Sequence, residues 1–201
     1  MKNPPSALLF FVKYPEPGKV KTRLARSVGD KRAAQMYQSL VETNLRVLTP
    51  LHRRTMDCWI MFDPADKEVE IKKWLSDQYF YRAQEGKDLT ERLTDAFKKS
   101  FEAGYSSVIA LGSDTLKLRA DIIEKAFKEL ENFDAVIGPA KDGGYYLIGL
   151  KKLIPEIFQG IPWSTSTVLT ETLNRMRRLK LKYSLLQELE DLDEIKEYES
   201  I

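Results

Sequence analysis

The sequence predicts an α/β protein with a mostly parallel sheet. Short apolar runs of strand length alternate with segments whose apolar residues recur at helical spacing, an order typical of parallel sheets covered by helices. The first run, residues 7–12, is apolar at every position, as expected for a strand buried on both faces. The 201 residues, 43% of them hydrophobic, suffice for one core without disulfides, and we expect a single domain over residues 1–201.

The same patterns predict each element in chain order. Apolar runs after the first strand predict strands at residues 58–62, 79–82, 108–111, 135–138, 145–150 and 183–186. Helical spacing predicts helices over residues 33–48, 71–75, 89–101, 122–130 and 167–179. Pro50 and Gly104 are expected to end the first and third helices, because the residue before proline disfavours helical geometry and glycine commonly ends a helix. Residues 13–23 are expected to form a loop.

Composition and charge exclude several function classes. Lys and Arg total 32 against 30 Asp and Glu, so the chain lacks the basic excess of a nucleic-acid-binding protein. One cysteine, Cys58, and one histidine, His52, exclude a disulfide framework and a thiolate-rich zinc site. We expect Cys58 in the core and His52 on the surface near a helix C-terminus, outside any Ser-His-Asp or Cys-His mechanism. No apolar stretch reaches the length of a signal-peptide core or a membrane span, which predicts a cytoplasmic protein.

The loop after the first strand is a candidate phosphate site, because ligands of open α/β sheets bind where strands end. Four basic residues lie within eleven, at Lys13, Lys19, Lys21 and Arg23, and Gly18 permits a tight turn. Ammonium and guanidinium groups are common ligands of di- and triphosphates. The loop matches neither the Walker A nor the Gly-x-Gly-x-x-Gly spacing, and a solvated surface loop is the alternative.

Asp114 follows the fourth predicted strand directly, in the run Gly112-Ser113-Asp114. A carboxylate at this position suits Mg²⁺ or Mn²⁺ that bridges nucleotide phosphates. The alternative is a helix N-cap, in which Ser113 or Asp114 caps the following helix without any metal.

A Gly-Gly segment and an aromatic loop follow later in the chain. Asp142 precedes Gly143 and Gly144, and the glycines permit close approach of a ligand whose hydroxyls Asp142 binds or deprotonates. A tight hairpin turn is the alternative, and both interpretations can hold together. Trp163 and the two hydroxyl residues after it offer a platform for a sugar or base face, or else a core side chain beside a helix cap.

Four spaced motifs, at residues 11–24, 112–114, 138–149 and 163–169, resemble those of a bacterial and archaeal family of small GT-A-like proteins. The family is provisionally described as glycosyltransferases of the nucleotide-diphospho-sugar transferase superfamily, which includes the molybdenum-cofactor and phospholactate guanylyltransferases. The resemblance covers about residues 7–195. It implies a three-layer α/β/α sandwich with a mostly parallel, Rossmann-like (GT-A) sheet.

The resemblance also implies a role for each candidate residue. Catalysis is assigned to Asp142 and Arg23, and nucleotide binding to Lys13, Gly18, Lys21, Arg23, Gln84, Gly86 and Arg92. Substrate binding is assigned to Gly143, Gly144, Tyr145, Trp163 and Ser164, and metal binding to Asp114 and Asp193. Two of these segments resemble the family more weakly: a capped helix start is the alternative for residues 84–93, and a charged terminal helix for residues 191–193.

We therefore predict metal-dependent transfer from a nucleoside diphosphate-sugar to a small-molecule acceptor, with Mg²⁺ or Mn²⁺ as cofactor and the oligomeric state left open. One alternative is nucleotidyl transfer from a nucleoside triphosphate to a phosphorylated small molecule. The second is a non-catalytic nucleotide-binding regulator, since Thr90 replaces a family Gly, Thr115 and Leu116 replace Cys-Pro, and no Thr-Pro follows Asp193. Loss of the proline predicts a looser turn around Asp114.

Overall fold

A computed structural model of the chain describes residues 5–192. Within them, seven strands form one sheet: β1 (Ser6–Lys13), β2 (Asp57–Asp63), β3 (Phe80–Ala83), β4 (Ser107–Gly112), β5 (Ala135–Pro139), β6 (Tyr145–Leu150) and β7 (Tyr183–Leu185). Their order is β3-β2-β1-β4-β6-β5-β7, and neighbours are parallel except where β6 pairs with β4 and β5. The predicted strands and the mostly parallel sheet are confirmed.

Six α-helices of the described chain cover the sheet: α1 (Thr22–Val28), α2 (Asp30–Leu48), α3 (Glu68–Leu75), α4 (Leu89–Glu102), α5 (Ala120–Asn132) and α6 (Val168–Arg178). Helices α2, α3 and α5 pack against one face, around Phe10 and Leu111. Helices α4 and α6 pack against the other face, around Leu9 and Ala110. The three-layer α/β/α arrangement is therefore confirmed. No helix in residues 5–192 combines the length and apolarity that a membrane span requires.

The strand order reverses between β1 and β4. The chain fills one side of the sheet with β2 and β3, and then crosses to the other side of β1 with β4. Such a reversal opens a crevice outside the carboxyl ends of the two strands, where α/β proteins bind ligands. The residues after β1 and β4 therefore flank this crevice.

Helix α1 differs from the sequence-based expectation, since residues 13–23 are expected to form a loop and no helix is expected before residue 33. It contains seven residues and buries one of them, Leu24, so no repeated apolar spacing marks it. Leu24 packs with residues of α2, with Leu116 and with Leu192 in a small core of its own. This small core anchors the two chain segments that carry the acidic residues described below.

His52 also differs from expectation, because it is half-buried rather than on the surface. Its Nδ1 accepts the backbone N–H of Cys58 at 3.0 Å, so Nε2 carries the proton and donates to the carbonyl of Gln78 at 3.0 Å. The ring therefore ties the end of α2 to the starts of β2 and β3. Cys58 itself is fully buried, as predicted.

Candidate active site

Three chain segments meet at the carboxyl edge of the sheet. They are the loop after β4 at residues 113–116 (the β4 loop), the turn between β5 and β6 at residues 140–144 (the Gly-Gly turn), and residues 189–192 (the tail segment). Two backbone hydrogen bonds of 2.7 and 2.9 Å join the tail segment to the β4 loop, and one of 3.0 Å joins it to the Gly-Gly turn. The tail segment thereby brings Asp191 beside both loops.

Asp114 is paired with Lys21, the residue that precedes α1. Lys21 Nζ lies 2.6 Å from Asp114 Oδ2, with 9% of the lysine side chain and 36% of the aspartate side chain exposed. Burial alone would raise the pKa of Asp114, but Lys21 and, more weakly, Lys13 outweigh it and hold that pKa below its ordinary value. Lys21 has a left-handed backbone (φ 48°, ψ 47°), which is uncommon for a residue other than glycine and concentrates at functional sites.

Asp191 is the second carboxylate of the site. Its Oδ1 atom is buried without a hydrogen bond of ordinary geometry, and the nearby Thr115 hydroxyl acts on the carboxylate by lowering its pKa. Burial, and then the charge of Asp114, raise the pKa of Asp191 to about 7, and Asp142 acts in the same direction. Two neighbouring carboxylates with one unused buried oxygen fit a hard cation such as Mg²⁺ or Mn²⁺, which takes further oxygens from phosphates and water. Residues 5–192 hold no group of three or more His, Cys, Asp or Glu that could bind a metal unaided.

Two polar residues of α2 fix the β4 loop. The Tyr37 hydroxyl accepts the Lys13 N–H at 2.9 Å and shares a hydrogen bond of 2.8 Å with the Ser113 hydroxyl. Asn44 Nδ2 donates to the carbonyls of Ser113 and Thr115, at 3.2 and 2.9 Å. These bonds hold the residues on either side of Asp114 and join the ends of β1 and β4.

The β4 loop is held by other contacts where the family motif has a proline, and the expectation of a looser turn stays a prediction. Leu116 is fully buried, and its N–H donates to the carbonyl of Glu190 at 2.7 Å. Proline has no N–H and could not form this bond. The helix-cap alternative for Ser113 and Asp114 is wrong, because α5 begins six residues after Asp114, at Ala120.

An open cleft of about 380 Å³ lies at the carboxyl ends of β1 and β2, on the far side of β1 from β4. Its lining residues are Lys13, Tyr14, Glu16, Lys19, Val20, Asp63 and Pro64. Cavities that bind small molecules run from roughly 300 to 1,000 Å³, so this one suits a group of nucleoside size. Gly18 adopts φ 79° in the exposed turn that borders the cleft.

The Gly-Gly turn is a hairpin between β5 and β6, so the turn interpretation is confirmed. Asp142 is exposed, and its Oδ1 accepts the Gly144 N–H at 2.8 Å. Gly143 has φ 88°, and a Cβ atom there would lie 2.1 Å from the carbonyl oxygen of Ser166. Because Gly143 has no side chain, the aromatic loop can approach the turn at Ser166. The N–H of Gly144 donates to the Asp142 carboxylate, which folds back over the turn.

Trp163 is half-buried and tied to α4. Its Nε1–H donates to Thr90 Oγ1 at 2.8 Å, and the Thr90 hydroxyl donates to the carbonyl of Phe158 at 3.1 Å. The indole meets the Tyr145 ring edge-on, with centroids 6.1 Å apart. The Tyr145 hydroxyl is buried, so the ring alone can border a ligand pocket. Ser164 follows as an exposed residue with φ 64°.

Residues 84–92 form a hydrogen-bonded frame next to the cleft. Gln84 donates to a carbonyl of β2 at 2.8 Å and accepts from Arg92 at 3.3 Å. Arg92 also donates to the carbonyl of Gly86 at 3.2 Å and pairs with Asp63 at 3.3 Å. Asp88 caps α4 by accepting a backbone N–H, which confirms the capped helix start. The nucleotide-binding roles of Gln84, Gly86 and Arg92 stay predictions.

The other predicted residues are placed as follows. Arg23 is exposed in the first turn of α1, and Lys13 is exposed at the end of β1. Asp193 lies outside the described residues. Helix α6 begins at Val168 after the cap position Thr167, so Ser164 is not its cap.

Three residues of the site are not predicted from the sequence: Tyr37, Asn44 and Asp63. Asp191 lies in the predicted motif at residues 191–193, in which the metal role is assigned to Asp193. Tyr37 and Asn44 lie seven positions apart on the buried face of α2, where a polar residue in an apolar stripe is a detectable signal. Asp63 is the last residue of β2 and lies at the carboxyl edge of the sheet, the same edge at which Asp114 follows β4.

Comparisons with known proteins agree with this architecture. Residues 47–165 match a family described as an uncharacterized protein conserved in bacteria (DUF2064). The chain is 42% identical to a provisionally assigned nucleotide-diphospho-sugar transferase from Desulfovibrio desulfuricans G20, with a TM-score of 0.88 over 94% of this chain and 82% of that chain.

Two more distant structures share the fold. CMP:2-keto-3-deoxy-manno-octonic acid synthetase, complexed with CTP, is 10% identical, with a TM-score of 0.58 over 98% of this chain and 96% of that chain. Glucosyl-3-phosphoglycerate synthase from Mycobacterium tuberculosis, in complex with Mn²⁺ and UDP, is 9% identical, with a TM-score of 0.61 over 98% of this chain and 75% of that chain. A sequence comparison with curated proteins gives no match.

Proposed function

The chain belongs to the DUF2064 family, and from its 42% identity to the Desulfovibrio protein we infer that it is a transferase of the nucleotide-diphospho-sugar class. We propose more specifically that it transfers a sugar from a nucleoside diphosphate-sugar and requires Mg²⁺ or Mn²⁺. The observation that carries this proposal is the juxtaposition of Asp114, Asp191 and Lys21 at the strand-order reversal, next to a cleft of nucleoside size.

Different residues of the chain bind the donor and the acceptor. Lys13, Lys21 and Arg23 bind the donor phosphates, and Asp114 with Asp191 holds the cation. A bound divalent cation neutralises charge that develops on the leaving diphosphate. Asp142 is exposed and keeps one carboxylate oxygen for an acceptor hydroxyl, because Gly144 engages the other. Asp193 is proposed as a further metal ligand.

Binding of donor and cation tests the site. Thermal unfolding is measured with UDP-, GDP-, ADP- and CDP-sugars, with and without Mn²⁺. Ligand at about 100 times its dissociation constant adds about 2.7 kcal/mol of stability, and at about 2–4 °C per kcal/mol the melting temperature rises by roughly 5–11 °C. Asp114→Ala should abolish the metal-dependent part of this shift. Asp121→Ala is the control, because Asp121 is exposed on α5 and pairs with Arg119. Equal affinity in wild type and Asp114→Ala contradicts the proposal.

The released product separates the proposed reaction from its alternatives. Glycosyl transfer releases a nucleoside diphosphate, whereas nucleotidyl transfer from a triphosphate releases pyrophosphate. We expect the diphosphate, from the one donor that shifts the melting temperature. Pyrophosphate release would replace the proposal with nucleotidyl transfer, and binding without turnover of any donor and acceptor pair would favour a regulator.

A further inference from the structure

Lys21 lies where a cation bound to Asp114 must approach. Its Nζ is 2.6 Å from Asp114 Oδ2, and 9% of its side chain is exposed. The backbone of Lys21 is left-handed at the position before α1, a conformation that side-chain-bearing residues rarely adopt. The ammonium group is thus built into the carboxylate site rather than resting on its surface.

A divalent cation and Lys21 must share Asp114. A positive neighbour within about 4–6 Å weakens the affinity of a carboxylate for a proton by roughly 10- to 1,000-fold. The same electrostatic effect acts on any other cation that the carboxylate binds. Lys13 adds positive charge from the neighbouring strand end. The site without donor is therefore a poor one for a free divalent cation, although Asp191 offers an unused oxygen.

We propose that Lys21 is a resident counter-ion that competes with the divalent cation for Asp114 until the donor's phosphates take over its ammonium group. This inference rests on the proposed function and specifies its order of binding: the cation and the diphosphate bind together. The lysine suits this exchange, because its ammonium has three donors on a flexible stem and binds phosphate and carboxylate alike. Lys13 and Lys19 line the adjacent cleft and supply further positive charge for the phosphates.

The test measures the binding of Mn²⁺ alone and of preformed Mn²⁺–pyrophosphate to wild type and to Lys21→Met. Free Mn²⁺ is followed by electron paramagnetic resonance, and the complex by titration calorimetry. Each titration is run at two pH values, so that competition by protons can be subtracted. We expect Lys21→Met to bind Mn²⁺ alone at least about tenfold more tightly and to bind Mn²⁺–pyrophosphate more weakly than wild type.

Further variants keep the result interpretable. Lys21→Arg retains the positive charge and should bind Mn²⁺ alone as weakly as wild type. Lys21→Gln, which also removes the charge, replaces Lys21→Met if that variant does not fold. Lys98→Met changes an exposed lysine of α4 that pairs with Glu102, and it should leave the affinity for Mn²⁺ alone unchanged.

Two outcomes overturn the inference and differ in what else they overturn. If Lys21→Met binds Mn²⁺ alone as wild type does or more weakly, while Asp114→Ala loses binding, the competition is wrong and the metal site stands. If neither wild type nor Lys21→Met binds Mn²⁺ in either form, the proposed metal requirement fails as well.

Discussion

Gly143→Ala should destabilise the protein through one close backbone contact. Gly143 has φ 88°, and its added Cβ would lie 2.1 Å from the Ser166 carbonyl oxygen and 2.7 Å from the Ser166 carbonyl carbon and Cα. Left-handed backbone costs alanine about 1–2 kcal/mol. Overpacking of a fitted contact adds about 1–3 kcal/mol. The clashing atoms are backbone atoms, so rotation of a side chain cannot relieve the contact, and we expect a loss of about 2–5 kcal/mol.

Gly104→Ala is the matched control for this change. Gly104 has φ 93°, and a Cβ atom there would meet nothing within 4 Å. It should therefore lose only the backbone contribution of about 1–2 kcal/mol. At about 2–4 °C per kcal/mol for a chain of this size, Gly143→Ala should melt roughly 2–12 °C below Gly104→Ala. Both variants are unfolded by heat and by urea and followed by circular dichroism. Equal losses in the two variants would refute the argument that the aromatic loop rests on Gly143.

Two further predictions concern a hydrogen bond and a thiol. Thr90→Val removes the acceptor of the Trp163 Nε1–H, so it should lower the free energy of unfolding in urea by about 1–3 kcal/mol and shift the tryptophan fluorescence. Thr90→Ser keeps the hydroxyl and should restore both properties. Identical stability of the valine and serine variants would contradict this prediction. Burial, and then the charge of Asp57, raise the pKa of Cys58 to about 12. Because the folded-state pKa lies above the unfolded one, the stability from this group is complete below the unfolded thiol pKa and is lost as the pH rises toward 12. Native protein at about pH 8 should therefore resist a thiolate-specific reagent that labels urea-unfolded protein fully, and rapid native labelling would show an accessible thiol.

The sequence predicts the sheet well, because most strands are apolar runs of sufficient length between turn-forming residues; the short edge strands β3 and β7 also contain Arg82 and Ser184. Helix α1 escapes prediction because a single buried residue, Leu24, gives no period to detect. The antiparallel sense of β6 relative to β5 follows from the predicted hairpin, but the insertion of β6 between β5 and β4 is encoded in no local pattern. The sequence predicts the loops of the site through their glycines, lysines and aspartates.

The position of Asp191 depends on tertiary register. The motif at residues 191–193 contains Asp191, but the sequence alone does not show that Asp191 lies beside Asp114. Pairing of Thr115 with Asp191 decides the register, and that pairing requires the N–H of Leu116. Similarly, the sequence shows Asn44 only as a polar residue in an apolar helix face. The tertiary structure shows that it donates to the carbonyls on either side of Asp114.

Two departures from the family motifs are therefore weak evidence that catalysis has been lost. Leu116 replaces a rigid proline by a backbone hydrogen bond to the tail segment and by burial in the small core under α1. Thr90 replaces glycine by a hydroxyl that holds Trp163 in place. Both replacement residues make specific contacts, and the hydrogen bond of Leu116 fixes the register that brings Asp191 to Asp114. Thr115 and the sequence after Asp193 are the departures that still favour a regulator without activity, so the turnover assay, rather than the motif, decides between enzyme and regulator.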